Sequence, residues 1–244
     1  MDRASVDGFT IESVLGTGGM STVYLARDST RQVALKVFHS GAHAPALVDH
    51  PNIVRIVDFG TQWVAMQYLP GGDADSELRA GRMTPERAVR IIAGIAEALD
   101  FAHAQGTVHG DVKPSNFLLG DDDRALLADF GEPPFARDGV VLTSAAYASP
   151  EMLRGSAIDG RADVYSLGCS LFRLLTGKPP FFDAGPKDEV VQAHLHREQP
   201  RPTQFSSWLP AAMDDVIAKA MAKDPNERYQ SARALADAAT SALH

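Results

Sequence analysis

A chain of 244 residues with 45% apolar content can bury a sizeable core, as one large domain or as two tightly joined lobes. Its net charge of -8 and pI near 5.4 leave no basic stripe to neutralise phosphates, which excludes a nucleic-acid footprint. A single cysteine, Cys169, excludes an intramolecular disulfide, and its setting in SLGCSLFRLL predicts a buried helical thiol rather than a reactive one.

Residues 9 to about 70 read as short β segments: FTIESVLG, STVYLARD, QVALKVF, IVRIVDFG and WVAMQYL are rich in β-branched or aromatic residues and are separated by turn formers. PGG at 70–72 marks a joint, after which the period changes. Thr84 and Pro85 suit the N-cap and first position of a helix that runs through ERAVRIIAGIAEALDFAHAQ to a stop at Gly106. Further helices are expected at 161–176, 187–198, 210–222 and 231–243, and Asp121 to Asp123 read as a hairpin turn rather than a metal cluster. No charged-then-apolar leader is visible, and no apolar run approaches the roughly 20 residues that span a bilayer. The chain is therefore expected to be cytoplasmic, including as the intracellular domain of a membrane receptor.

Gly16 and Gly18 in LGTGGMSTVYLARD lie between two predicted strands, where bare backbone can approach phosphate oxygens. A strand follows them, so the dinucleotide-binding reading fails, and no Gly-Lys-Ser/Thr closes the loop, so the Walker reading fails too. Lys36 in VALKVF could set a positive charge over phosphates, although a lone lysine on an alternating strand is more often a surface residue.

VHGDVKPSNFLL at 108–119 and LADFGE at 127–132 resemble the catalytic and metal loops of protein kinases. With YASPE at 147–151, DGRADVYSLGCSLFRLLTGKPPF at 159–181 and DPNERY at 224–229, the likeness covers nearly the whole chain. It is to the bacterial Hanks-type serine/threonine kinases of the actinobacterial receptor group. The resemblance implies an α+β bilobal fold in one kinase domain over 1–244: a β-rich lobe at about 9–70, a hinge at about 67–72 and a helical lobe at about 73–244. It also implies ATP with Mg²⁺ or Mn²⁺, and a protein substrate presenting serine or threonine.

By position, Asp111 matches the aspartate that takes the acceptor's proton, and Lys113 the lysine that steadies the transferring group. Asn116 and Asp129 match the two metal ligands, a role for which hard oxygen donors are apt. Val23, Ala34 and Leu118 match the clamp around adenine, Met66 the gatekeeper, and Gln67 and Leu69 the hinge positions that pair with the base. Glu151 and Arg228 match a buried ion pair, and Asp163 the brace of the catalytic loop. Ser144 falls where these kinases carry a hydroxyl beside the catalytic aspartate and lysine, which favours Ser/Thr over Tyr as acceptor.

Between Lys36 and His50 stand only VFHSGAHAPALVD, where the family places a long helix bearing a glutamate. Wholly helical, this stretch would reach only about 20 Å, and Gly41 and Pro45 argue for a turn or loop instead. Lys36 thus loses its usual partner, leaving Asp49 or, better, Asp129. Gly110 replaces the arginine that binds a phosphorylated activation loop, and Thr143 and Ser144 are the main hydroxyls of a short loop, so loop phosphorylation is not expected to be the principal switch. Three readings follow: a protein kinase with atypical regulation, a pseudokinase serving as a nucleotide-binding or scaffold module, and a small-molecule phosphotransferase of the same fold. A shortened helix would also leave a sheet edge uncovered, to recruit a second copy or a regulatory partner.

Overall fold

A computed structural model describes residues 5–41, 45–130 and 145–244. The fold is α+β and bilobal, with a six-stranded antiparallel sheet followed by a helical lobe. The strands are β1 (Ser5–Val6), β2 (Phe9–Thr17), β3 (Ser21–Arg27), β4 (Gln32–Phe38), β5 (Ile56–Phe59) and β6 (Trp63–Gln67), in the order β1-β2-β3-β4-β6-β5. Asp7 and Gly8 turn β1 into β2 with positive φ at both positions, as a two-residue hairpin that matches strand twist requires. β4 is buried on both faces: Val33 and Leu35 pack under Phe9 and Trp63, while Ala34 and Lys36 face the opposite way. The IVRIVDFG run is strand only over 56–59, because Ile53 and Val54 pair with the other lobe instead.

The helical lobe holds α1 (Ala74–Arg79), α2 (Pro85–Ala104), α3 (Pro150–Leu153), α4 (Gly160–Thr176), α5 (Lys187–His196), α6 (Ala212–Ala220) and α7 (Ala232–Leu243). Thr84 caps α2 as expected, accepting from Arg87 N at 3.2 Å. α2 packs on α4 and α7. An added Cβ at Gly168 would sit 2.7 Å from Ala220 Cβ, so glycine is what lets α4 and α6 approach. Cys169 is fully buried, and burial pushes its thiol up, away from reactivity. Between α2 and α3, β7 (Phe117–Leu119) and β8 (Ala125–Leu127) form a hairpin around the predicted Asp121–Asp123 turn.

Two of the backbone seams between the lobes end on that hairpin. In one, Leu119 N donates to Gly72 O at 2.9 Å, and Gly71 approaches so closely that a Cβ there would lie 2.5 Å from Leu119 O. In the other, Leu127 N donates to Asn52 O at 2.7 Å and Val54 N to Leu127 O at 3.0 Å. No helix among the described residues is long and apolar enough to cross a membrane.

One consequence concerns pH. His194 is fully buried on α5, with Nδ1 at 2.9 Å from the Tyr165 hydroxyl and Phe181 edge-on to the ring. Burial, reinforced by the nearby Lys223 ammonium, lowers its pKa to about 3. The unfolded chain, whose histidine titrates near 6.5, takes up the proton first, so the stability held by the neutral ring is complete above that value and is lost as pH falls toward 3. Between pH 6.5 and 5 the loss should be about 2 kcal/mol in denaturant melts, and a His194→Gln variant should lack that component of the slope.

Candidate active site

The cleft between the lobes encloses about 350 Å³. Leu15, Gly16 and Val23 of β2 and β3 roof it, Ala34, Met66 and Leu69 line its inner side, and Leu118, Asn116 and Asp129 form its floor. The sheet and the β7–β8 hairpin each contribute half of this apolar sandwich, because Ala34 and Met66 pack in one cluster with Leu126 and Ala128. Of the residues assigned to a nucleotide site, Gly18, Lys36 and Gln67 are not on the lining, and Lys36 reaches it only through its partner Asp129. Gln67 donates its backbone N–H to Arg55 O at 2.9 Å, and Gly18 closes the β2–β3 turn by donating to Ser21 O at 2.9 Å.

The glycines of that turn have no structural reason to be glycine. None of Gly16, Gly18 and Gly19 has positive φ. An added Cβ would meet nothing within 4 Å at Gly16 or Gly19, and only Ser21 O at 3.7 Å at Gly18. Neither backbone strain nor packing explains them, which leaves close approach of a ligand.

At the inner end of the cleft, Lys36 is 7% exposed and pairs through Nζ with Asp129 Oδ2 at 3.0 Å. Asp49 is exposed, so the expected alternative partner is the one found. Asp129 adopts φ +67°, a left-handed conformation in which aspartate is tolerated and strain is held at the site. Phe130, next along, stacks edge-on with His109 at 4.6 Å and accepts a hydrogen bond from Ala46 N at 3.4 Å. Residues 45–50 carry no helix, and Ala46 and Val48 pack on the core that includes Phe130. An extended strap thus covers the ground where a regulatory helix was missing from the sequence.

The loop from His109 to Asn116 is held from below. Asp163, at the start of α4 and fully buried, accepts from His109 N and Gly110 N, both at 2.8 Å, and pairs with His103 Nε2 at 2.7 Å. Gly110 sits at φ +79°, a left-handed conformation that glycine adopts with less strain than residues bearing a Cβ. Above it, Lys113 Nζ is 2.6 Å from Asp111 Oδ2. Asn116 commits its Nδ2 to Asp111 O at 2.8 Å, which leaves the amide oxygen as the atom available to a cation. Asn116 Oδ1 and the Asp129 carboxylate are hard donors on one cleft floor and fit a magnesium ion whose other ligands come from phosphate and water.

Sequence reasoning did not single out His103, His109, Asp73 or Asn52. The Asp-Ala-Asp-Ser run could have flagged Asp73, which caps α1 by accepting from Ser76 N at 2.9 Å. Glu151 and Arg228 form the expected pair, bidentate at 2.7 and 2.8 Å, and Arg228 donates its other N–H groups to Ala222, Arg161 and Lys223 carbonyls. Thr143 and Ser144 lie outside the described residues.

A family model described as protein kinase domain matches residues 9–239. Serine/threonine-protein kinase PknJ of Mycobacterium tuberculosis is 48% identical over 268 positions, which cover 97% of this chain and 46% of that protein. PknB of the same organism is 36% identical over 259 positions, covering 93% and 41% respectively. The chain spans about half the length of the curated relatives it matches. Because 268 and 259 positions cover less than the whole of a 244-residue chain, about thirty positions in each relative face gaps here.

The brace makes a measurable demand. Asp163→Ala should lower unfolding free energy by about 3 kcal/mol in urea melts, since it strands buried donors, and Asp163→Asn should cost less because one carbonyl oxygen survives.

Proposed function

The chain belongs to the protein kinase family, as a bacterial Hanks-type serine/threonine kinase catalytic domain, and on that premise we propose how its residues transfer the γ-phosphoryl group of ATP to a serine or threonine hydroxyl. The observation that carries the proposal is the meeting of Asp111, Lys113 and Asn116 in one bonded loop, whose Asn116 shares the cleft floor with Asp129, the partner of Lys36.

Val23, Ala34, Leu69 and Leu118 would clamp the adenine, with Met66 behind it and the backbone of Gln67 and Leu69 offered to its edge. Gly16 and Gly18 would admit the phosphates under the β2–β3 turn. Lys36 would orient them, and its pairing with Asp129 keeps it in the cleft without the helix glutamate of the family. Asp111 would orient the acceptor hydroxyl and take its proton while Lys113, already within 2.6 Å of that carboxylate, balances charge on the transferring group. Mg²⁺ or Mn²⁺, bound by Asn116 and Asp129, would supply charge neutralisation between the β- and γ-phosphates.

Within the family, both named relatives are protein kinases rather than small-molecule phosphotransferases. The pseudokinase reading has no specific observation in its favour, because Lys36 retains an acidic partner. We further propose cytoplasmic placement, as in the intracellular part of a receptor, and an edge contact at β5, where Phe59 is exposed, for a second copy or a regulatory protein.

Purified protein incubated with labelled ATP, Mg²⁺ or Mn²⁺ and a generic protein acceptor should transfer label, and Asp111→Asn should reduce transfer by about a hundredfold or more. Nucleotide binding without transfer under either metal would overturn the assignment. Gly16→Val should leave the thermal midpoint unchanged yet weaken ATP binding by about tenfold, as expected where only a ligand needs the bare backbone.

A further inference from the structure

The residue that follows β4 by one position makes contacts that the proposed chemistry does not use. His39 N donates to Met20 O at 2.9 Å, which carries the β3–β4 ladder one step beyond the Ser21–Phe38 pair and onto the glycine turn. Its side chain then reaches both sides of that turn: Nδ1 lies 3.3 Å from Gly19 O and Nε2 lies 3.2 Å from Thr22 Oγ1. A carbonyl can only accept, so Nδ1 carries the proton, and the neutral ring accepts at Nε2 from the threonine hydroxyl. One imidazole therefore spans the turn from Gly19 to Thr22.

A turn of three residues with glycine at two of them has high conformational entropy when free. Among the described residues no helix stands between β4 and β5, and His39, which leaves the strand, lies against the turn. We infer that His39 is a positioning residue that latches the β2–β3 glycine turn in its phosphate-receiving conformation. The inference rests on the reading that this turn covers the nucleotide phosphates. The latch lowers the ordering cost of binding, because a pre-held turn loses less freedom when ATP arrives.

The test compares wild type with His39→Ala, Thr22→Val and the double variant in ATP-dependent transfer, in calorimetric ATP binding, and in amide exchange over residues 18–22 without nucleotide. His39→Ala keeps the backbone bond and removes both side-chain links, so KM and Kd for ATP should rise about fivefold while kcat changes far less. Exchange at the turn should quicken, and thermal midpoints should be retained. Thr22→Val should shift KM in the same direction, and the double variant should fall short of the product of the two effects. His39→Asn, which restores a donor toward Gly19 O, should recover part of the affinity. Unchanged or tighter ATP binding with unchanged exchange in His39→Ala would overturn the latch while leaving the kinase assignment intact. Wild type that neither binds nor turns over ATP would overturn both.

Discussion

The loop that carries Asp111 and Lys113 stands on one buried carboxylate. Asp163 has no solvent exposure, yet it receives two consecutive backbone N–H groups and a histidine ring. A buried anion is costly unless its lone pairs are filled, and here the loop that carries Asp111 and Lys113 is what fills them. The stability of the helical lobe and the shape of the catalytic loop are therefore one quantity. From that anchor the order spreads outward: His109 Nε2 pairs with Ala128 O at 2.8 Å, Asn116 O accepts from Ala128 N at 2.9 Å, and the metal-loop residue Asp129 follows directly.

The small lobe reaches a similar end with fewer parts. The family's helix supplies an acid for the lysine, and Phe130 of this chain needs an apolar cover as well. Here the acid comes from Asp129 and the cover from an extended strap through Ala46 and Val48. The substitution makes the two segments depend on each other: Lys36 holds Asp129, and Ala46 binds Phe130. A conformational change at one would be felt at the other without any helix to swing.

Most of this was legible in the sequence wherever chemistry and period speak together. The glycine pair, the HGD and DFG runs, and the Arg228 and Glu151 positions carry meaning because few residue types serve there. The long helices α2, α4 and α7 declared themselves by apolar spacing and by caps such as Thr84. Short elements did not, since β1, α1 and α3 span two, six and four residues, too few for a period to show. The strand read at 53–60 shrank because pairing across the lobes competes with pairing within the sheet. His39 was invisible for a different reason: its partners are a carbonyl and a hydroxyl that only the folded turn brings to it.

The two seams on the β7–β8 hairpin set how such a molecule can move. Gly71–Gly72 is fastened to Leu119 and Asn52–Val54 to Leu127, and these attachments lie on adjacent strands of one small sheet. Two lines of backbone on one small sheet oppose sliding of one lobe past the other and favour rotation about the axis that joins them. The small lobe is hung like a door on two hinges. On the proposed function, nucleotide would reach the cleft from beneath the glycine turn rather than through the seams, so exchange would be felt at the free edge of the door.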